Sequence, residues 1–363
     1  MTVAVERLLD ETLLWLCSVP SPIGEERALC DAVAGRLARR EAPARRYRDS
    51  IVVPLRRGSG GPHVALVGHL DTVRTENGPA RIEGDRCFGS GASDMKSGLA
   101  VMIALAETLD LPRLGCDLTL VFYAREEGPF AENELGPVLE QDPELSRVDL
   151  AVCMEPSDNK LHLGCMGSIH ATVTFEGRTA HSARPWEGEN AVTKAAAFLA
   201  AMHALRPRES VVEGLTYRAV TTITQAKDGG RGRNVVPDRF VLNVNHRFAP
   251  DRSLEEAKRE LLALVAASAP DARVDFTDLS PAARPSAGHP LVKALVAAGV
   301  RAVEPKRAWT DVARFAERGV AAVNFGPGEN AQAHQRNEST SLALVHEGYG
   351  IVARWLTALR PGV

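Results

Sequence analysis

The stretch "HVALVGHLDTV", residues 63–73, decides how this chain is read. Val64 to Val67 form a short apolar, β-branched run closed by Gly68, the pattern of a strand buried on both faces. His69 and Asp71 follow at its carboxyl end, two residues apart and so on one face. In an open parallel sheet, ligands bind beyond the carboxyl ends of the strands. A core strand that ends in an imidazole and a carboxylate therefore directs attention to the other strand ends.

Two further strands are read in "DLTLVFYA" (117–124) and "DLAVCME" (149–155), with a helix in "GLAVMIALAETL" (98–109). This alternation predicts a mostly parallel sheet with helices on both faces. After Gly167 the pattern changes to strand, helix, two strands, helix and strand, the βαββαβ order of a ferredoxin-like sandwich. Helix and strand alternate again after Pro281, ending in "VAAVNFGPG" (320–328) and a helical terminus. The simplest organisation is an α/β catalytic domain, residues 1–166 and 283–363, interrupted by an inserted α+β domain at 167–282.

Composition excludes several classes. The net charge is −3 over 363 residues, which gives no electrostatic footing for nucleic acid or an anionic membrane. Arginines outnumber lysines 36 to 7, so a single arginine carries little functional weight. The six cysteines form no CxxC pair and read as buried thiols of a reducing, cytoplasmic environment. "MTVAVERLLDETLLWL" places charges where a signal peptide needs an apolar block and fits an amphipathic helix through Val5, Leu8, Leu9, Leu13 and Leu16.

Acidic groups and histidines gather at the expected strand ends. Glu126 and Glu127 follow the second strand, and Glu155 ends the third. Asp94 lies in a Gly/Ser loop just before the helix, and His334 in a polar loop after "VAAVNFGPG". Each has an ordinary reading: a structural histidine, a helix N-cap, a solvated turn. Together, on one sheet edge with few basic groups, they would repel one another unless cations lay among them. Imidazole and carboxylate without thiolate suit Zn²⁺, with Co²⁺ or Mn²⁺ as alternatives. Three ligating carboxylates, Asp94, Glu127 and Glu155, balance two divalent ions and a hydroxide, consistent with a two-metal hydrolytic site.

"GHLDTV", "GSGASDMKSGLAVM", "EEG", "MEPSD" and "AHQRNE" occur in the order found in the dinuclear-zinc aminoacylase, carboxypeptidase and deacylase superfamily, spanning residues 68 to 338. Within it, "HSARPWEGENAV", "GRNVVPD" and "WTDVARF" most resemble the succinyl-diaminopimelate desuccinylases of the shorter actinobacterial type. The resemblance implies that Asp94 bridges two ions, with His69 and Glu155 on one and Glu127 and His334 on the other. Asp71 resembles the carboxylate that receives the other ring N–H of the ligand histidine. Glu126 resembles the general base, although spacing alone does not say which adjacent glutamate is base and which is ligand. His181 resembles a histidine that reaches a neighbouring subunit's site and stabilises the oxyanion, which implies a homodimer through the inserted domain.

Asn234, Arg247, Thr310 and Asn330 match substrate contacts of the family, and Arg184 and Arg233 are further candidates for a substrate carboxylate. One departure is Cys165–Met166, where Gram-negative desuccinylases carry a basic pair. The implied reaction is hydrolysis of the amide of a small N-acyl amino acid, N-succinyl-LL-2,6-diaminopimelate. Acetylornithine deacetylation, aminoacylase or dipeptidase activity, or an inactive dimeric binding protein, are the rival readings.

Overall fold

The computed structural model describes residues 2–38, 43–230 and 232–361. The chain divides into two compact units. One comprises Met1–Gly164, Pro285–Lys306 and Thr310–Val363, and the other Cys165–Arg284 with Arg307–Trp309.

The strands before the second unit are β1 (Arg45–Tyr47), β2 (Ser50–Arg56), β3 (His63–His69), β4 (Arg81–Glu83), β5 (Arg86–Phe88), β6 (Asp117–Tyr123), β7 (Leu150–Cys153) and β8 (Leu161–Leu163). Within that unit lie β9 (Gly167–Glu176), β10 (Arg208–Val212), β11 (Leu215–Asp228), β12 (Arg239–Phe248) and β13 (Arg273–Ser280). After it come β14 (Val303–Pro305), β15 (Ala321–Asn324) and β16 (Ser339–Ser341).

The first unit is built on an eight-stranded sheet of order β1-β2-β6-β3-β7-β15-β8-β14. Its centre is parallel: β3 pairs with β6 and β7, and β7 with β15. Antiparallel pairing is confined to β1, β2 and the β15–β8 contact. Every residue of β3 after His63 is buried, as a central strand covered on both faces requires. The helix Lys96–Thr108 is buried from Lys96 to Ala106. Two glycines let it approach the sheet so closely. A Cβ on Gly68 would fall 2.5 Å from the Leu99 side chain, and one on Gly98 would fall 2.3 Å from the Met154 carbonyl oxygen. These contacts seat the start of the helix, and with it the Asp94 loop, against the ends of β3 and β7. A small three-stranded sheet, β16-β5-β4, lies in the same unit.

The N-terminal helix is Val3–Ser18, with Leu9, Leu13 and Leu16 buried. All six cysteines are buried free thiols. Among the described residues no helix is long and apolar enough to cross a membrane.

The second unit carries a five-stranded antiparallel sheet of order β10-β11-β12-β9-β13. Without β10 this is the ferredoxin-like order expected from the sequence. β10, "RESVV", is an added edge strand whose short, mostly exposed run shows no alternating apolar face. The first helix expected in this unit is two, Ala191–Lys194 and Ala196–Ala204, joined at Ala195. The helix Leu254–Ser268 begins in a reciprocal capping box between Ser253 and Glu256. Ile169, Phe175, Phe198, Leu242, Val244 and Leu261 belong to the core between this sheet and its helices.

Candidate active site

The parallel strands β6, β3 and β7 deliver donors at one level, because His69 pairs with Tyr123 and Val67 with Cys153. His69 ends β3, Glu126 and Glu127 lie in the turn after β6, and Glu155 lies two residues past β7. Asp94 precedes the buried helix, and its bond to Met95 is cis. Arg125 and His334 adopt left-handed backbone conformations, φ +64° and +62°. Both are non-glycine residues in such a region at loops that carry donors, a conformation a fold retains where surrounding contacts dictate it.

The decisive geometry is at Asp94. Its Oδ1 lies 3.2 Å from His69 Nε2, and its Oδ2 lies 3.5 Å from His334 Nε2. His334 Nε2 is also 3.0 Å from Glu127 Oε1, and His69 Nε2 is 4.0 Å from Glu155 Oε1. Two donor groups result, His69/Asp94/Glu155 and Asp94/Glu127/His334, each with its ligand atoms within 4.8 Å of one another. Asp94 belongs to both. A third set of the same kind, His69/Glu126/Glu127, lies beside them.

The electrostatics fit a cation site. Burial pushes the Glu126 carboxyl well above the usual range, and Glu155 adds to the shift. Burial and the charge of Asp94 push Glu155 up to about 7. Burial alone would lower His69, but its bond to Asp94 and the charges of Asp71, Glu126 and Glu155 hold it well above the ordinary histidine value. The bond to Glu127 pushes His334 up to about 9. These carboxylates and imidazoles hold protons that divalent cations would displace. The donors are nitrogen and oxygen without sulfur, so a pair of such ions fits the residues present.

Asp71 differs from expectation. The ring Nδ1 of His69 meets the main-chain carbonyl of Asp71 at 2.9 Å, while the carboxylate stands off at 3.6 Å. That carboxylate is fully buried and accepts the N–H groups of Glu126, 3.0 Å, and Glu127, 2.8 Å. The carbonyl of Asp71 meets the ring, and its side chain is left to grip the glutamate turn. The residue thus fixes the histidine through its main chain and both glutamates through its side chain.

Thr310 is buried in the first unit, and Asn330 is exposed at the start of the turn leading to His334. His181, Arg184, Arg233, Asn234 and Arg247 all belong to the second unit. There His181 and Asn234 are neighbours: Ser182 N–H donates to the Asn234 carbonyl at 2.9 Å, and His181 bridges to Val235. Arg184 is exposed and its Nε lies 3.3 Å from Glu187, so its charge is already answered locally. Arg233 is exposed. Arg247 is half-buried, its Nε donating to Asn245 Oδ1 at 2.9 Å.

The peptidase family M20/M25/M40 model matches residues 65–358. The chain belongs to this family. It is a metal-dependent amide hydrolase acting on a linear amide. A protein of Mycobacterium tuberculosis named succinyl-diaminopimelate desuccinylase is 37% identical, covering 94% of this chain and 96% of its own. One of the same name from Corynebacterium glutamicum is 34% identical, covering 94% of both. Among solved structures, the aminopeptidase PepT of Bacillus cereus superposes with a TM-score of 0.79 at 17% identity, covering 97% of this chain and 98% of its own. That likeness establishes the M20 fold.

Sequence reasoning passed over two supports of the M20 site. Asp311 is buried and accepts hydrogen bonds from Tyr123 Oη at 2.7 Å, Asn133 Nδ2 at 3.0 Å and Arg314 Nε at 2.7 Å. It ties β6 and the loop after the glutamates to the segment of Thr310. The charge of buried Lys306 helps His69 and His334 lower Asp94 and offsets a small part of the rise at Glu155. An Asp–x–x–Arg spacing in an apolar setting was the available signal for the first. A lone lysine before a loop gave none for the second.

Proposed function

We propose that this chain hydrolyses N-succinyl-LL-2,6-diaminopimelate to succinate and LL-2,6-diaminopimelate, with zinc as the metal. The observation that carries the metal chemistry is the Asp94 carboxylate set between two histidine-containing donor groups. The substrate assignment rests on the names borne by relatives matching nearly the whole chain.

His69, Asp94 and Glu155 would hold one ion, and Asp94, Glu127 and His334 the other. Bound there, a zinc pair supplies Lewis acidity toward water and the scissile carbonyl. Glu126 takes the proton of the attacking water and returns it to the leaving amine. Asp71 fixes Glu126 through its main-chain N–H. Glu127 is the better ligand of the pair because it joins Asp94 and His334 in a donor group that excludes Glu126.

His181 donates a hydrogen bond to the developing oxyanion. Its Nδ1 accepts the Ala183 N–H at 3.1 Å, so a neutral ring carries its proton on Nε2, ready to donate. We infer that it acts on the site of a second copy, in a homodimer joined through the second unit. The sheet edges of that unit support this, because exposed edges call for cover. Mixing His181→Ala and Glu126→Ala proteins should then restore part of the activity; proven subunit exchange without recovery would refute action in trans. A cytoplasmic location, supported by the free thiols, completes the reading.

Arg247 supplies the charge for the succinyl carboxylate, in place of the basic pair missing at Cys165–Met166. Its Nε is fixed by Asn245, and its terminal nitrogens present the fork that matches a carboxylate. A charge-assisted hydrogen bond contributes about 1.5–3 kcal/mol. Arg247→Ala should therefore lower kcat/KM on the succinyl substrate by roughly ten- to a hundredfold with zinc retained. The unmodified enzyme should discriminate strongly against N-acetyl-diaminopimelate, which leaves such a site unpaired. Equal kcat/KM for the succinyl and acetyl substrates would replace this assignment with a general deacylase.

A further inference from the structure

We propose that Glu338 is a positioning residue for the metal centre, holding the Asp94 loop in register with the segment that carries His334. The inference rests on the metal-site reading above. Glu338 is 2% exposed, and a carboxylate so buried must find donors. Three main-chain groups supply them: Gly91 N–H on Oε2, and Ser93 and Asp94 N–H on Oε1, each at 2.9 Å. Converging main-chain N–H groups of this kind form a concavity suited to an anion. Gly91 makes it possible, at φ +77° and with a Cβ position only 2.7 Å from the Thr72 methyl.

Glu338 is itself held in place. Its N–H donates to Asn77 Oδ1 at 2.9 Å, and its carbonyl accepts the Gly89 N–H at 3.1 Å. The segment is fastened again at its other end, where the Glu329 carbonyl accepts the Ser93 hydroxyl at 2.8 Å. His334 lies between these two fastenings, in a left-handed conformation. The 3.5 Å approach of Asp94 Oδ2 to His334 Nε2 therefore depends on where residues 329 and 338 hold the loop. The donor groups His69/Asp94/Glu155 and Asp94/Glu127/His334 share Asp94, so a shift of its main chain disturbs both.

Glu338→Gln keeps the shape but turns an amide N–H₂ toward a main-chain donor. Glu338→Ala removes all three acceptors. Partners that orient metal ligands typically govern metal affinity by 10- to 100-fold. The test is zinc titration of the metal-free full-length protein against a chromophoric chelator, alongside thermal melting of the same metal-free samples. Val352→Ala, a change in the core of the C-terminal helix, is the control for general destabilisation. Glu338→Gln should weaken zinc binding at least tenfold and Glu338→Ala more, with kcat falling at saturating zinc while KM moves less than threefold. Val352→Ala should lower the melting temperature with zinc affinity unchanged. Unaltered zinc affinity in both Glu338 variants would overturn the proposal. So would a loss of affinity no greater than that of Val352→Ala at equal loss of melting temperature. An unmodified chain that takes up no zinc would overturn the metal-site reading and this inference together.

Discussion

Glu126→Gln should lower kcat on the succinyl substrate by roughly a hundred- to ten-thousandfold, the usual contribution of a general base, while zinc content stays at that of the unmodified enzyme. The reason lies in how two adjacent glutamates are divided. Both main-chain N–H groups are gripped by the Asp71 carboxylate, so the turn is held at both residues. Glu127 Oε1 lies 3.0 Å from His334 Nε2 and joins the donor group of Asp94. Glu126 enters neither group that contains Asp94. Burial and the charge of Glu155 raise its proton affinity, which suits a group that must accept a proton from water and hand it to an amine. Glutamine preserves the volume and removes the basicity. Glu127→Gln should behave oppositely, losing metal first and turnover in consequence. Metal analysis and steady-state kinetics on both variants decide it. Zinc lost from Glu126→Gln and kept by Glu127→Gln would reverse the two roles.

Much of this arrangement is legible in the sequence because a parallel sheet places strand ends together. Once "HVALVG", "DLTLVFYA" and "DLAVCM" are read as strands, His69, Glu126, Glu127 and Glu155 must share one edge. Less legible is anything that depends on main-chain hydrogen bonding. Asp71 illustrates this: its position beside His69 invites a side-chain pair, but its main-chain carbonyl meets the ring instead. Glu338 closes a quoted motif, yet three main-chain N–H groups from a loop more than 240 residues away carry no side-chain pattern. Strands toward the margins of the large sheet were also hidden. β2 contains Pro54, opposite Thr119 with a register shift just after it, and a proline inside a run argues against a strand. β8 and β14 are three residues long, too short for alternation to register.

Asp94→Ala should abolish binding of both ions and reduce turnover to the uncatalysed background, a larger loss than any other single ligand change. Within the two groups that contain Asp94, His69 and Glu155 serve only the first, and Glu127 and His334 only the second. Asp94 alone joins the two, presenting Oδ1 to His69 and Oδ2 to His334. It also supplies part of the negative charge that cations neutralise, and its loop runs directly into the helix that begins at Lys96. That helix is locked by the contacts of Gly68 and Gly98, so the loss should not be repaired by relaxation. Glu155→Ala and His334→Ala provide the comparison, each expected to lose one ion and keep the other. Asp94→Asn should fall between, since the amide keeps one oxygen and gives up the charge. Zinc stoichiometry across the four variants at a fixed free zinc concentration makes the ordering visible. Retention of one tightly held ion in Asp94→Ala would show that the carboxylate belongs to a single site.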